Sequence, residues 1–246
     1  MTVSFNVVIP ARFASQRLPG KPLADIAGEA MIVRVARQVL ESRATSVVVA
    51  TDDERIANAV LEAGLDAAMT RRDHACGSDR VMEVVGARGW GDDAIVINVQ
   101  GDEPLIPPMV IDQLADGLEG RADIGVATLA EPFDPDTDPY DPNAVKVVCS
   151  EQQRALYFSR APIPFPRGQD GTLWRRHVGI YAYRVQALRA FVALPQGRLE
   201  AIEHLEQLRL LENDMDILVL DACVAVPGGV DTPEDLERVN ALFAAD

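Results

Sequence analysis

Three cations fall within ten residues near the start of the chain: Arg12, Arg17 and Lys21, in the run Pro10-Ala-Arg-Phe-Ala-Ser-Gln-Arg-Leu-Pro-Gly-Lys-Pro-Leu23. The chain as a whole carries a formal net charge of −15, so this local concentration points to an anionic ligand. An apolar run over residues 5–9 precedes it, of the kind a buried parallel strand needs. Pro10 is expected to break the strand's ladder, because it has no N–H to donate. Pro19, Gly20 and Pro22 then shape a loop just past the strand's carboxyl end, where open α/β sheets bind ligands. The loop reads as a grip for a polyphosphate.

Two carboxylates complement it. The apolar run 94–99 leads directly into Gln100-Gly101-Asp102, and Gly101 permits close backbone approach to a ligand. Asp102 is then expected at the same edge of the sheet as the cationic loop, with an ordinary turn aspartate as the alternative. Asp231 follows Gly228-Gly229. Thr232 and Asp235 form a capping box with Pro233 at the first helical position, which explains those residues but not Asp231. Carboxylates beside a polyphosphate repel it unless a cation lies between, and magnesium is bound in this way through one or two carboxylates plus phosphate oxygens. Asp102 and Asp231 are therefore candidate magnesium ligands.

A third group suits a second, acidic substrate. Arg160 and His177 lie in segments too irregular for surface helices. Glu203, Glu206 and Gln207 share one face of a helix expected over 200–212, whose other face buries Ile202, Leu205, Leu208 and Leu211. A solvated polar face is the plainer reading of those three. In the polar segment 69–80, Ser78 or Asp79 is a plausible helix N-cap, and His74 is either a ligand or an exposed loop histidine. Thr51 or Asp52 is expected to cap the helix that follows the second strand.

Other chemistries are excluded. Ala14 stands where a Walker A motif needs its first glycine, and Pro22 rather than Ser or Thr follows the lysine. No G-x-G-x-x-G follows the first strand, which disfavours a dinucleotide fold. No Ser/His/Asp or Cys/His arrangement marks a nucleophile. The acidic balance argues against nucleic acid. Nothing approaches about 18 consecutive apolar residues, so no membrane span is expected. Cys76, Cys149 and Cys223 are odd in number and lack metal spacing, and read as free thiols in a reducing compartment. With no basic leader at the N-terminus, a cytoplasmic location is expected.

The elements that must position these residues alternate. Strand-like runs at 6–9, 46–50, 94–99, 124–127, 144–148 and 217–220 are interleaved with amphipathic stretches at 30–42, 53–62, 79–88, 108–119, 200–212 and 233–243. This βαβα order predicts an α/β fold with a mainly parallel sheet and helices on both faces. At 246 residues the chain fits a single domain. The Pro- and Asp-rich stretch 131–143 reads as a loop. Short strands near 155–158 and 177–183 suggest a smaller antiparallel insertion, with approximately 131–190 as a substrate-binding and dimerisation subdomain.

Taken together, these segments resemble the 3-deoxy-manno-octulosonate cytidylyltransferases, the CMP-Kdo synthetases. The resemblance rests on the first motif (residues 10–23), Val49-Ala-Thr-Asp52, Gln100-Gly-Asp-Glu-Pro104, Asn143-Ala-Val-Lys-Val147, Phe158-Ser-Arg-Ala-Pro-Ile-Pro164, His177-Val-Gly-Ile-Tyr181, Leu205-Glu-Gln-Leu-Arg209 and Val230-Asp-Thr-Pro-Glu-Asp-Leu236. They occur in order and span nearly the whole chain. CMP-sialate synthetases share the fold and a shorter form of the first motif, but not the rest.

The resemblance implies a glycosyltransferase-A-like nucleotidyltransferase, usually a homodimer. It would use magnesium and CTP to activate a 3-deoxy-octulosonic acid for lipopolysaccharide biosynthesis, releasing pyrophosphate. A cytidylyltransferase for 8-amino-Kdo or a sialate-type acid is the alternative within enzymes, and a nucleotide-binding homologue without activity the alternative outside them. By motif position, Ala11, Arg12, Ser15, Arg17 and Lys21 would hold the triphosphate. The segment 70–80, including Arg80, and Gln100 would surround the nucleotide. Lys21, Asp102 and Asp231 would be catalytic, the two aspartates as magnesium ligands. Arg160, His177, Tyr181, Glu206 and Gln207 would line the sugar pocket. The chain departs from the pattern at Phe13 and Gln16, where Tyr and Thr are common, at Cys76, where Ser is common, and in a Val-Pro-Gly-Gly-Val turn one residue short.

Overall fold

The computed structural model describes residues 3–13, 18–133, 137–167 and 174–244. In chain order the elements are β1 (Phe5–Ala11), a single 3-10 turn (Lys21–Leu23), the small hairpin β2 (Asp25–Ile26) and β3 (Glu29–Ala30), α1 (Met31–Leu40), β4 (Ser46–Thr51), α2 (Glu54–Glu62), β5 (Ala67–Met69), α3 (Gly77–Arg88), β6 (Ile95–Asn98) and α4 (Pro108–Glu119). Then follow β7 (Val126–Pro132), β8 (Lys146–Cys149), β9 (Ala155–Ser159), β10 (Arg175–Arg184), α5 (Val185–Ala193), α6 (Arg198–Glu203), α7 (Leu208–Glu212), β11 (Ile217–Asp221) and α8 (Pro233–Phe243).

The main sheet runs β11-β7-β10-β6-β1-β4-β5, with β8 and β9 continuing from β10. Pairs β1–β4, β1–β6, β4–β5 and β7–β11 are parallel, while β10 is antiparallel to both β6 and β7. Strand side chains alternate between two apolar layers. Phe5, Val7 and Ile9 of β1 pack with α1, α2, α4 and α8, whereas Val8 packs in the layer of α3, α5 and α7. The helices thus cover both faces, and β8 with β9 forms an antiparallel appendage.

The topology collects the candidate residues at one edge. The parallel strands β1, β4 and β6 end there together. Strand β10 runs the other way, with Tyr181 opposite Asn98 and Arg184 opposite Ile95, so His177 lies beyond the carboxyl end of β6.

Several local expectations need correction. Pro10 does not end β1, because Pro10 and Ala11 remain in register with Ala50 and Thr51 of β4. The carbonyl of Val8 accepts from Val99 on the β6 side. Pro10, two residues on, therefore turns its missing N–H to the side where pairing with β6 has already stopped. Helix α2 is capped by Asp53, whose Oδ1 accepts from the Arg55 amide at 3.0 Å, not by Thr51 or Asp52. Cys76 is the N-cap of helix α3, and Asp79 at the helix's third position accepts from the Ala75 and Cys76 amides at 3.1 Å each. The His74 side chain is buried and paired with Glu83, so it is no exposed loop histidine.

The stretch 200–212 is two short helices. His204 adopts a left-handed conformation, φ 52°, and ends α6. The break brings Arg209 onto Glu200 as a buried two-pronged ion pair at 2.8 and 2.6 Å. A continuous helix would separate those residues by about 13 Å along its axis. One consequence is that Ile202 is 65% exposed instead of buried.

Candidate active site

The first loop meets the sheet edge through Lys21. Gly20, at φ 70°, opens the 3-10 turn that presents it. That positive φ favours glycine, and a Cβ at Gly20 would stand 3.3 Å from the Phe13 ring. The ring in turn lies under the Arg55 guanidinium, 3.5 Å from its centroid. Lys21 Nζ donates to Asp102 Oδ2 at 2.5 Å and to Asp231 Oδ1 at 2.8 Å. Burial works against this ammonium, but the two carboxylates outweigh it and its pKa rises above the ordinary lysine value.

Backbone approach fixes the two aspartates. A Cβ at Gly101 would lie 2.9 Å from the Pro10 carbonyl oxygen, so only glycine lets the β6 loop press against the root of the cationic loop. A Cβ at Gly229 would lie 3.0 Å from both the Asp102 carbonyl and Glu103 Oε1. Between them, the Val230 amide donates to the Asp102 carbonyl at 2.9 Å. The capping Asp235 Oδ2 also accepts from the Asp231 amide at 3.1 Å. The shortened glycine turn therefore brings Asp231 beside Asp102.

The donor set suits a hard divalent cation. Two carboxylates converge on one positive centre, and all the donors are oxygen. Glu103 stands next to them, and burial together with the Asp102 charge pushes its carboxyl up to about 8. Among the described residues no cluster of three or more His, Cys, Asp or Glu forms a cage.

The other nucleotide candidates divide. Ala11 ends β1 at this edge, and Arg12 Nη2 donates to the His74 carbonyl at 2.7 Å, joining the first loop to the segment before α3. Ser15 and Arg17 lie outside the described residues. Arg80 is fully buried, donating to Asp52 Oδ2 at 2.8 Å and contacting Thr70. It braces the segment 70–80 from below. This also gives Asp52 a role that helix capping did not anticipate.

Beside the carboxylates lies a cavity of about 210 Å³ lined by Gln100, His177, Tyr181, Glu206 and Gln207 among others. The structure thus brings together four of the five expected sugar-site residues. The fifth, Arg160, does not line it. Its guanidinium donates to the carbonyls of Glu203, Pro142 and His204 at 2.7, 2.5 and 3.1 Å. The pocket floor is an aromatic series, His177–Tyr181–Tyr183–Phe191, with ring centroids 5.5, 5.9 and 6.3 Å apart. His177 Nε2 lies 3.0 Å from the Tyr181 hydroxyl and 3.1 Å from Thr128 Oγ1. Burial pushes the His177 pKa down to about 3, so it acts as a neutral hydrogen-bonding group and not as a cation for an acidic substrate.

Three buried polar atoms on this cavity have no hydrogen-bond partner among the described residues: Asn98 Oδ1, Glu206 Oε1 and Gln207 Nε2. The Glu206 carboxylate is flanked by Cys76 and Ser78 at the start of α3, while burial raises its pKa. Glu206 and Gln207 therefore do not belong to a solvated helix face. Asn98 and Tyr183 also line the cavity and were not singled out from the sequence, while Ser78, read there only as a helix cap, lines it too. For Asn98 a signal existed, since it is a lone amide within the apolar strand Ile95-Val-Ile-Asn98.

Comparison with known proteins agrees with this geometry. A cytidylyltransferase family profile matches residues 6–217. The 3-deoxy-manno-octulosonate cytidylyltransferase of Cellvibrio japonicus is 52% identical over 251 residues, covering 98% of each chain. That of Pseudomonas syringae pv. syringae is 51% identical, covering 99% of each. A solved CMP:2-keto-3-deoxy-manno-octonic acid synthetase complexed with CTP superposes with a TM-score of 0.91 at 44% identity, covering 99% of each chain. A cytidylyltransferase from Leptospira borgpetersenii, at 15% identity and a TM-score of 0.63 over 98% of this chain and 87% of that one, shares the fold. The chain belongs to the 3-deoxy-manno-octulosonate cytidylyltransferase family.

Proposed function

We propose that this chain transfers CMP from CTP to the anomeric hydroxyl of 3-deoxy-manno-octulosonic acid (Kdo), giving CMP-Kdo and pyrophosphate for lipopolysaccharide biosynthesis. One observation carries the reading. The Lys21–Asp102–Asp231 cluster, suited to a metal-bound polyphosphate, adjoins a cavity with two buried acceptors and a donor that lack partners among the described residues. A polyhydroxylated acid supplies hydroxyl donors and acceptors to match.

The reaction is an in-line displacement. The sugar's anomeric oxygen forms a bond to the α-phosphorus, the bond to the β-phosphate oxygen breaks, and pyrophosphate leaves. Arg12 and Lys21, with Ser15 and Arg17 by motif position, hold the triphosphate and stabilise charge moving toward the leaving group. Asp102 and Asp231 would hold Mg2+, which when bound neutralises phosphate oxygens and lowers the pKa of the attacking hydroxyl. The phosphates compete with the two carboxylates for Lys21. Gln100 reaches from the nucleotide edge to the Gly179 carbonyl at 3.4 Å and joins the two half-sites. Neutral His177, Tyr181, Glu206 and Gln207 orient the sugar, and no protein nucleophile is required.

We further propose a cytoplasmic homodimer, with residues 131–190 supplying sugar-binding groups and the dimer surface. Supporting the surface are Leu156 on the outer strand β9 and Phe165 just beyond it, 62% and 82% exposed. Supporting the compartment are three free cysteines. No helix among the described residues is long and apolar enough to cross a membrane.

The test is a panel of sugar acids (Kdo, 8-amino-Kdo, sialate) assayed with CTP and with UTP. Turnover is expected to be highest with CTP and Kdo. Equal or faster use of sialate would overturn the assignment of the acceptor.

A further inference from the structure

Asn98 closes β6 and is 4% exposed. The rest of its strand, Ile95, Val96 and Ile97, is apolar and buried. Its position is held by β1 on one side, in register with Val8, and β10 on the other, in register with Tyr181. Its amide nitrogen faces the first turn of α3, 4.0 Å from where a Cβ on Gly77 would stand, and that same Cβ would be 3.5 Å from the Pro10 ring. Asn98 therefore stands between the root of the cationic loop and the acceptor cavity. Its Oδ1 has no hydrogen-bond partner among the described residues, and the residue lines the cavity with Glu206 and Gln207.

A buried amide oxygen without a partner carries a desolvation penalty that leucine, which has the same branched skeleton but no polar atom, does not. Asn98 thus works against the fold on its own, the expected mark of a residue kept for function. The triphosphate chain of CTP offers only acceptors and cannot satisfy an amide oxygen, whereas a sugar hydroxyl can. The ribose and base of CTP also carry donors, but the cavity that Asn98 shares with Glu206 and Gln207 favours the sugar acid over them. We propose that Asn98 is a specificity-determining residue of the acceptor pocket, its Oδ1 accepting a hydrogen bond from one hydroxyl of the bound sugar acid. This rests on the cytidylyltransferase reading above, and it adds a contact on the β6 side of the cavity. A site that hydrogen-bonds a substrate hydroxyl discriminates strongly against an analogue lacking it, because the buried group is then left unpaired.

The experiment compares the full-length protein with Asn98→Leu and Asn98→Ala, using CTP, Mg2+ and Kdo, and measures kcat, both KM values and Tm. In both variants KM for the sugar acid is expected to rise by at least about tenfold while KM for CTP stays within about twofold. The Tm of Asn98→Leu is expected to equal or exceed that of the unmodified protein, which a purely structural asparagine would not give. Among singly deoxygenated Kdo analogues, one should lose as much with the unmodified protein as Kdo loses with Asn98→Leu, and that variant should no longer distinguish it from Kdo. Unchanged KM values, a parallel rise in both, or failure of both variants to fold would overturn the proposal. If the unmodified protein rejects Kdo but uses another sugar acid, the choice of Kdo fails and Asn98 is judged with that acid. If it uses none, the proposal falls with the reading it rests on.

Discussion

The amide of Val230 donates to the carbonyl oxygen of Asp102 at 2.9 Å. This bond ties the turn before α8 to the loop after β6, and it sets the side chains of Asp102 and Asp231 around one ammonium, that of Lys21. The cationic loop is thus half of a site whose other half comes from distant parts of the chain. Glycine at 101 and 229 is what allows the three backbones to approach.

Asp102→Asn and Asp231→Asn each remove one charge from this cluster with little change in shape. Each is expected to lower turnover by about two orders of magnitude or more, on the scale of losing a key electrostatic group, and to raise the Mg2+ concentration needed for half-maximal rate. Pyrophosphate release across a Mg2+ titration checks this. Near-normal turnover in either variant would remove that residue from the metal site.

Gly101→Ala places a methyl 2.9 Å from the Pro10 carbonyl oxygen. One loop must move, at a cost of about 1–3 kcal/mol, and turnover should fall because Asp102 shifts away from Lys21. Gly86→Ala is the contrast. Gly86 lies inside α3, and nothing stands within 4 Å of the place its added methyl would take, so that substitution should be neutral or stabilising by up to about 1 kcal/mol. Urea denaturation with activity assays on both variants separates crowding from helix propensity.

Arg80→Met leaves Asp52 and Thr70 without the guanidinium that joins them. Losing one member of a buried pair is expected to destabilise the fold by about 3 kcal/mol. The test is the Tm measured alongside KM for CTP. A large rise in KM with no loss of Tm would instead make Arg80 a direct nucleotide ligand.

His177 sets a pH dependence. Its folded-state pKa, lowered to about 3 by burial, lies below its ordinary 6.5. As pH falls through 6.5 the unfolded chain takes up a proton that the folded chain refuses, so this contribution to stability is whole above 6.5 and is lost progressively toward 3. His177→Gln should flatten that acid-side loss in urea titrations at several pH values. An unchanged slope would mean that His177 titrates normally in the folded protein.

The sequence made the first loop legible because its charges are local, and it made the start of α8 legible because Thr232, Pro233 and Asp235 form a capping signal there. Asp102 was readable as the residue that ends a buried run. The break at His204 was not, since the apolar periodicity continues through it and a left-handed histidine has no sequence mark. Arg160 stood out because its segment is irregular, but the three carbonyls that bind its guanidinium, from Glu203, Pro142 and His204, have no mark in the sequence. Asn98 left a signal as a lone amide in an apolar strand, but its lack of a partner among the described residues, which gives that signal its meaning, is visible only in the structure.

The most direct measurement is pyrophosphate release by the purified protein given CTP, Mg2+ and Kdo, with the nucleotide product identified by 31P NMR. The expected result is pyrophosphate and CMP-Kdo in equal amounts, each dependent on all three components. Binding of CTP with no pyrophosphate released from any sugar acid would contradict the account.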